Sequence, residues 1–259
     1  MSKEFTSIKF RLEDRIARIT FARPPLNIFN IAMMREILSA VNECGQQRET
    51  AAIVFEAAPG AKAFSAGVAV EEHVPETVYQ MLDTFHSIFR ALYQTPKPTV
   101  AVLDGPALGG GCELVAACDL VIASDRARFG QPEIKLGVFP PVATILLPRI
   151  IGEKRAAELV LTGELIEADE ALRLGLVNYV VSPDELATKT DELLSKLREL
   201  SSAALSMARA AFDIGRQKNF EANLNEVENL YLHELMKTAD ANEGVRAFME
   251  KRNPKWRHR

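Results

Sequence analysis

The chain has 259 residues, 47% hydrophobic and 25% charged. This composition excludes a disordered, collagenous or coiled-coil chain, and the length suits one large α/β unit whose core needs no staples. Lys and Arg total 31 against 35 Asp and Glu, a net charge of −4. That balance disfavours nucleic acid as the main partner, because phosphate binding needs clustered positive charge.

The three cysteines, Cys44, Cys112 and Cys118, include no C-x-x-C pair, and the four histidines, His73, His86, His233 and His258, have no ligand-like spacing. Neither a disulfide framework nor a metal site is expected. The N-terminus lacks the apolar core of a secretory signal. No apolar stretch approaches the roughly 18 residues of a membrane span, and the run from Val138 to Leu147 is interrupted by Pro140 and Pro141. A cytoplasmic protein with no membrane partner is expected.

In chain order, Ile8–Leu12 and Ile16–Phe21 are predicted strands, joined by a hairpin turn at Glu13-Asp14. Pro24 and Pro25 forbid regular structure in the loop that follows. Ile31, Met34, Ile37, Leu38 and Val41 have helical spacing from Asn30, with Gly45 as the stop. The segment AAIVFEA is a predicted strand ending at Pro59-Gly60. A second helix is predicted from Pro75 to Tyr93, halted by the prolines of TPKP. Then come the strand PTVAVLDG, the turn GPALGGG, the helix ELVAAC and the strand DLVIAS, an order that marks repeated β/α units. From Glu153 onward nearly everything is predicted helical, including Ser201–Ile214 and Asn219–Met236.

Gly109, Gly110 and Gly111 lie between an apolar strand and an apolar helix. Glycines permit positive φ and clear one approach path, and the helix behind them aims free N–H groups along it. Such a turn stabilises a phosphate or a developing oxyanion, or is a tight turn with no chemistry. Neither a Walker loop nor a G-x-G-x-x-G fingerprint is present. Glu113, in the first helical turn, is either a dipole partner or a reactive group at an anion-attracting place. Glu133 follows a proline turn between apolar residues, and the small-residue turn at KAFSAGV offers further backbone donors. His86 is expected to pack, Cys112 has no basic partner to activate it, and Asp119 is expected to fix its loop.

The segments KAFSAGV, DGPALGGGCELVAACD, FGQPEIKLG, TGELIEADEALRLGLVN and AFMEKRNPKW, in this order, resemble the crotonase (enoyl-CoA hydratase/isomerase) superfamily over nearly the whole chain. The resemblance implies an α/β fold, a crotonase-like ββα spiral core over residues 1–195 that holds an acyl-CoA site. It further implies a helical C-terminal trimerisation region over 196–259 packing on neighbouring subunits, in a homotrimer or dimer of trimers. The backbone N–H groups of Val68 and Gly110 would form an oxyanion hole for a thioester enolate. Glu113 would activate water and Glu133 supply the proton, or the two would share the water. Substrate contacts would come from Lys62, Ala66, Gly109, Phe139, Pro140, Phe248 and Lys251. Coenzyme A is then part of the substrate and no separate cofactor is implied.

The chain departs from the common pattern at Ala69, where many relatives have Asp, and at Glu71, which would repel CoA phosphates. Phe139, Pro140 and Pro141 replace a glycine-rich stretch and make that wall rigid and apolar. With GVAVEEHVPE and FHSIFRAL, they resemble the subgroup hydrating cyclohexa-1,5-diene-1-carbonyl-CoA in anaerobic aromatic degradation. The alternatives are a straight-chain enoyl-CoA hydratase of fatty-acid β-oxidation, and an isomerase or ring hydrolase of the same fold. An RNA-binding relative fits least, the basic tail from Lys251 to Arg259 being the only concentrated positive segment.

Overall fold

A computed structural model describes residues 5–73, 76–136 and 138–217, with 238, 239, 250, 252, 253, 255 and 257. Strand β1 (Ile8–Glu13) turns through Asp14 and Arg15 into β2 (Ile16–Phe21). The turn therefore sits one residue later than the sequence suggests: Glu13 remains in the ladder opposite Ile16. Asp14 and Arg15 have φ of 47° and 65°, the two left-handed residues that match hairpin twist. Arg15 is held there by its guanidinium, which donates to the carbonyls of Glu49, Arg198 and Leu200.

Helix α1 (Ile31–Gln46) is capped by Asn30, whose side chain accepts from the Met33 N–H at 3.0 Å. Then follow β3 (Ala52–Ala57), α2 (Val78–Gln94), β4 (Thr99–Leu103), β5 (Ala107–Leu108) and α3 (Gly110–Ala117). The second half contributes β6 (Leu120–Ser124), β7 (Arg128–Gly130), α4 (Pro141–Ile151), α5 (Glu153–Thr162) and β8 (Leu165–Glu167). It continues through α6 (Ala168–Leu174), β9 (Tyr179–Val181), α7 (Leu186–Arg198) and α8 (Ser202–Gln217). The expectation of nearly all helix after Glu153 is amended by β8 and β9, which are too short for a period-2 pattern to show and which find partners in β7 and β6. The expected helix Asn219–Met236 lies outside the described residues.

Six strands form one sheet in the order β1-β2-β3-β4-β6-β9, antiparallel at β1–β2 and parallel thereafter. Its central strands are buried on both faces, which is why they are continuous apolar runs rather than alternating ones. Ile53, Phe55, Ala101 and Val121 face the core built with α1, α2 and α3, whereas Val54, Val100 and Ile122 pack with Leu186, Leu194 and Leu197 of α7. The small sheet β5-β7-β8 lies beside this frame and carries the glycine turn.

Helix α8 is tied to the sheet by a buried ion pair. Arg209, 3% exposed, donates through Nε to Asp119 Oδ2 at 2.7 Å. The same oxygen accepts from the Thr99 N–H and hydroxyl, each at 2.9 Å. Asp119 thus fixes its loop, as the sequence suggests. Removing one partner of a buried pair leaves the other charge uncompensated, so Arg209→Met is expected to lower unfolding stability by about 3 kcal/mol in urea titration.

Candidate active site

The loop from Phe64 to Ala69 and the glycine turn are stitched together through backbone bonds. The Phe64 N–H donates to Pro106 O at 2.9 Å, Leu108 N–H to Ser65 O at 2.9 Å, and Gly109 N–H to Gly130 O at 2.9 Å. The bridge between Phe29 and Val68 uses the Phe29 N–H to Gly67 O at 2.8 Å and the Ala69 N–H to Phe29 O at 2.9 Å. These bonds leave out the N–H groups of Val68 and Gly110, neither of which has an acceptor among the described residues. Gly110 is the first residue of α3, so its N–H is one that no preceding turn can satisfy.

Close approach explains the glycines. Gly109 has φ of 51°, and a Cβ there would overlap Oε1 of Glu133. A Cβ on Gly110 would lie 2.8 Å from Cγ2 of Val68 and 2.9 Å from the Phe85 ring. Helix α3 therefore begins three residues before the ELVAAC segment suggested by propensity, because the two glycines are recruited into its first turn by packing.

Glu113, 2% exposed, sits in that first turn. Its Oε1 accepts from the Ala143 N–H at 2.8 Å, at the amino end of α4. Burial pushes its carboxyl up to about 8; the α4 N–H groups oppose the shift, and the charge of Glu133 adds to it. Glu133 lies on the 3-10 turn Pro132–Leu136, and burial pushes it up to about 7. Its Oε2 is buried with no hydrogen-bond partner among the described residues. At neutral pH such a pair holds at least one proton, so an acid and a base coexist in one place.

Both carboxyls line a cavity of about 330 Å³, at the small end of the range for ligand sites. Ala66, Val68, Gly109, Phe139 and Pro140 line it as well, bringing together most of the residues singled out in the sequence. Gly110 lies directly behind, against Val68 and Phe85. Lys62 is exposed and outside the cavity, on the loop held by its N–H bond to Pro25 O. Phe248 and Lys251 fall outside the described residues.

Sequence reasoning missed one wall, made by Val70, His73, Val78, Met81, Leu82 and Phe85. Its signal was the breadth of the apolar face on α2, wider than one core contact requires. It also missed α4, whose signature is a proline at the first helical position, Pro141, before an apolar run. Cys112 is fully buried and its thiol is pushed up to about 12 by burial, so it is no nucleophile.

The raised carboxyls make a stability prediction. Unfolding returns Glu113 to an ordinary value near 4.5. Its stabilising contribution is therefore complete below that pH and is lost as pH rises through about 8, at roughly 1.4 kcal/mol per pH unit. Glu113→Gln, which cannot ionise, is expected to gain stability over the parent chain between pH 5 and pH 8 in urea titrations; a difference independent of pH would contradict the buried carboxyl.

Comparison with known proteins bears on what this geometry belongs to. The profile of the family described as Enoyl-CoA hydratase/isomerase matches residues 11–259. The chain is 37% identical, over 100% of both chains, to cyclohexa-1,5-dienecarbonyl-CoA hydratase of Thauera aromatica. It is 35% identical to short-chain-enoyl-CoA hydratase of Clostridium acetobutylicum, covering 96% of this chain and 97% of that one. A solved enoyl-CoA hydratase subunit of Geobacillus kaustophilus superposes with a TM-score of 0.91 at 35% identity, over 99% of this chain and 100% of that one. An enoyl-CoA hydratase structure from Mycobacterium smegmatis gives 0.91 at 32% identity, over 97% and 99%. The chain belongs to the enoyl-CoA hydratase/isomerase family.

Proposed function

We propose that this enoyl-CoA hydratase, a hydro-lyase, adds water to a cyclic dienoyl thioester, cyclohexa-1,5-diene-1-carbonyl-CoA. The observation that carries the hydration chemistry is the convergence of two buried, partly protonated glutamates and two acceptor-free backbone N–H groups around one apolar cavity. The ring is supported by the full-length likeness to the Thauera aromatica enzyme and by the stiff wall of Phe139, Pro140 and Pro141 facing into the same cavity. A flat hydrocarbon suits an apolar slot better than a polar chain does.

In this reading Glu113, fixed by the Ala143 N–H, acts in the molecules where it is the ionised member of the pair and Glu133 holds the proton, and takes a proton from water as the water oxygen bonds to the unsaturated carbon β to the thioester. The electron pair of the double bond moves toward the carbonyl, and the enolate oxygen gathers charge between the N–H groups of Val68 and Gly110. Glu133 supplies the proton that completes the addition at carbon. Water is consumed whole: its hydroxyl and one proton's equivalent end on the product, and the proton gained by Glu113 passes to Glu133 to restore the starting state of the pair. The reaction so written needs no cofactor beyond the coenzyme A of the substrate. Residues 196–259 packing on neighbouring copies in a trimer or dimer of trimers, and a cytoplasmic location, belong to the same proposal. Among the described residues no helix is long and apolar enough to cross a membrane.

Glu113→Gln and Glu133→Gln are each expected to lower kcat by at least about 10²-fold, because each removes one proton-transfer partner. Full turnover in either variant would remove the assignment. Gly110→Ala drives a methyl into Val68 and Phe85 and displaces an oxyanion donor, for which a loss of about 3 kcal/mol of transition-state stabilisation is expected in kcat. A panel of CoA esters read by product mass tests the substrate. Water addition to the cyclic dienoyl ester with higher kcat/KM than to crotonyl-CoA is expected. The reverse preference would reject the ring and retain the hydratase, whereas an unchanged mass would indicate isomerisation.

A further inference from the structure

Among the residues lining the cavity, the side chains able to form hydrogen bonds are Glu113, Glu133 and His73. The two glutamates belong to the proton transfers, and His73 is left without a role. It follows the 3-10 turn Val70–Glu72 that leads from the Val68 loop toward α2, so it enters the cavity from a different segment than the carboxyls do. The turn itself is held in place. The Glu72 carboxylate accepts from the Ile31 N–H at 2.9 and 3.1 Å, and the Thr77 hydroxyl donates to Glu72 O at 3.0 Å.

The imidazole is oriented by its Nδ1, which lies 2.9 Å from Ala69 O. A carbonyl oxygen only accepts, so Nδ1 carries the hydrogen and the neutral ring presents Nε2 as an acceptor. Nε2 has no hydrogen-bond partner among the described residues. His73 shares the lining of the cavity with Val70, Val78, Met81 and Leu82, whose side chains are apolar. An occupant with an O–H in reach of Nε2 gains a hydrogen bond there that a hydrocarbon of the same shape does not.

We propose that His73 is a specificity-determining residue whose Nε2 accepts a hydrogen bond from a hydroxyl carried by the acyl group beyond its double bond, which extends the substrate range to hydroxylated enoyl thioesters. This rests on the hydratase reading but not on the ring. The contact is made with the bound acyl group and leaves the proton transfers at Glu113 and Glu133 as they are.

The test compares 5-hydroxypent-2-enoyl-CoA with pent-2-enoyl-CoA and takes the ratio of their kcat/KM values. His73→Asn places an amide N–H where Nδ1 stands and removes the acceptor at Nε2; His73→Gln places an amide at the Nε2 position. The wild-type ratio is expected to exceed one, to fall by about tenfold in His73→Asn and to be largely retained in His73→Gln. A purely structural role through the bond to Ala69 O gives the opposite pattern, with Asn holding the wild-type ratio and Gln impaired on both esters. That pattern, or a wild-type ratio at or below one, overturns the inference and leaves the hydratase standing. Hydration of neither ester overturns the inference, and the cyclic dienoyl ester run in the same assay then decides the hydratase reading by itself.

Discussion

The N–H groups of Val68 and Gly110 belong to distant parts of the chain, and much of the local structure serves to hold them side by side without giving either an acceptor. The bridges from Phe29 to Val68 and from Ser65 to Ala107 fix the first segment, and the bond from Gly109 to Gly130 fixes the second. The contact is so close that a Cβ on Gly67 would stand 3.1 Å from Leu108 O and 3.6 Å from Gly110 N. An unsatisfied N–H in a mostly apolar place is costly to maintain, and it persists because the surrounding bonds over-determine the backbone. Donors fixed in advance need no reorganisation when charge develops near them, which in the proposed reaction gives that cost a catalytic counterpart.

Burying two carboxyls beside these donors opposes folding in a second way. Glu113 lies within an apolar helix and its burial outweighs the hydrogen bonds it accepts from the start of α4. Those bonds nevertheless decide where the carboxylate sits, because the amino end of a helix is the natural partner of a buried anion. The stability of the frame comes from elsewhere: from the two-sided burial of the parallel strands and from the Arg209–Asp119 tie beneath them. The demands of the site and of the core are thus met by different residues, so weakening one need not collapse the other.

This separation also explains what could be read from the sequence. The strands Ile16–Phe21, Ala52–Ala57 and Thr99–Leu103 were legible because β-branched and apolar runs bounded by turns have few other uses. Helix α1 was legible from its spacing after Asn30. The glycine turn stood out because three glycines in a row conflict with ordinary local preference, whereas Glu113 and Glu133 gained their roles only through the resemblance of the segments that carry them. The strands β8 and β9 were not legible, since three-residue elements depend on a partner rather than on their own pattern. His73 was not legible as a cavity residue, because its placement depends on how the turn after Val70 meets α2.

The last distinction bears on substrate choice. In the proposed reaction the glycine turn, the two glutamates and the loop at Val68 act on the thioester and the double bond, which every enoyl-CoA substrate carries. In the same proposal the rest of the acyl group meets Val70, His73, the face of α2 and the stretch Phe139–Pro141, which line the same cavity. Val70 and Phe139 are 55% and 62% exposed, so this portion of the wall is lightly packed by the described residues and can change without disturbing the core. Family membership therefore constrains the reaction far more tightly than the acyl group. Relatives of similar overall likeness, at 37% and 35% identity, are named for a ring and for a short chain. Selectivity should accordingly move with substitutions at His73 and Phe139, and the rate of the proton transfers with substitutions at Glu113 and Glu133.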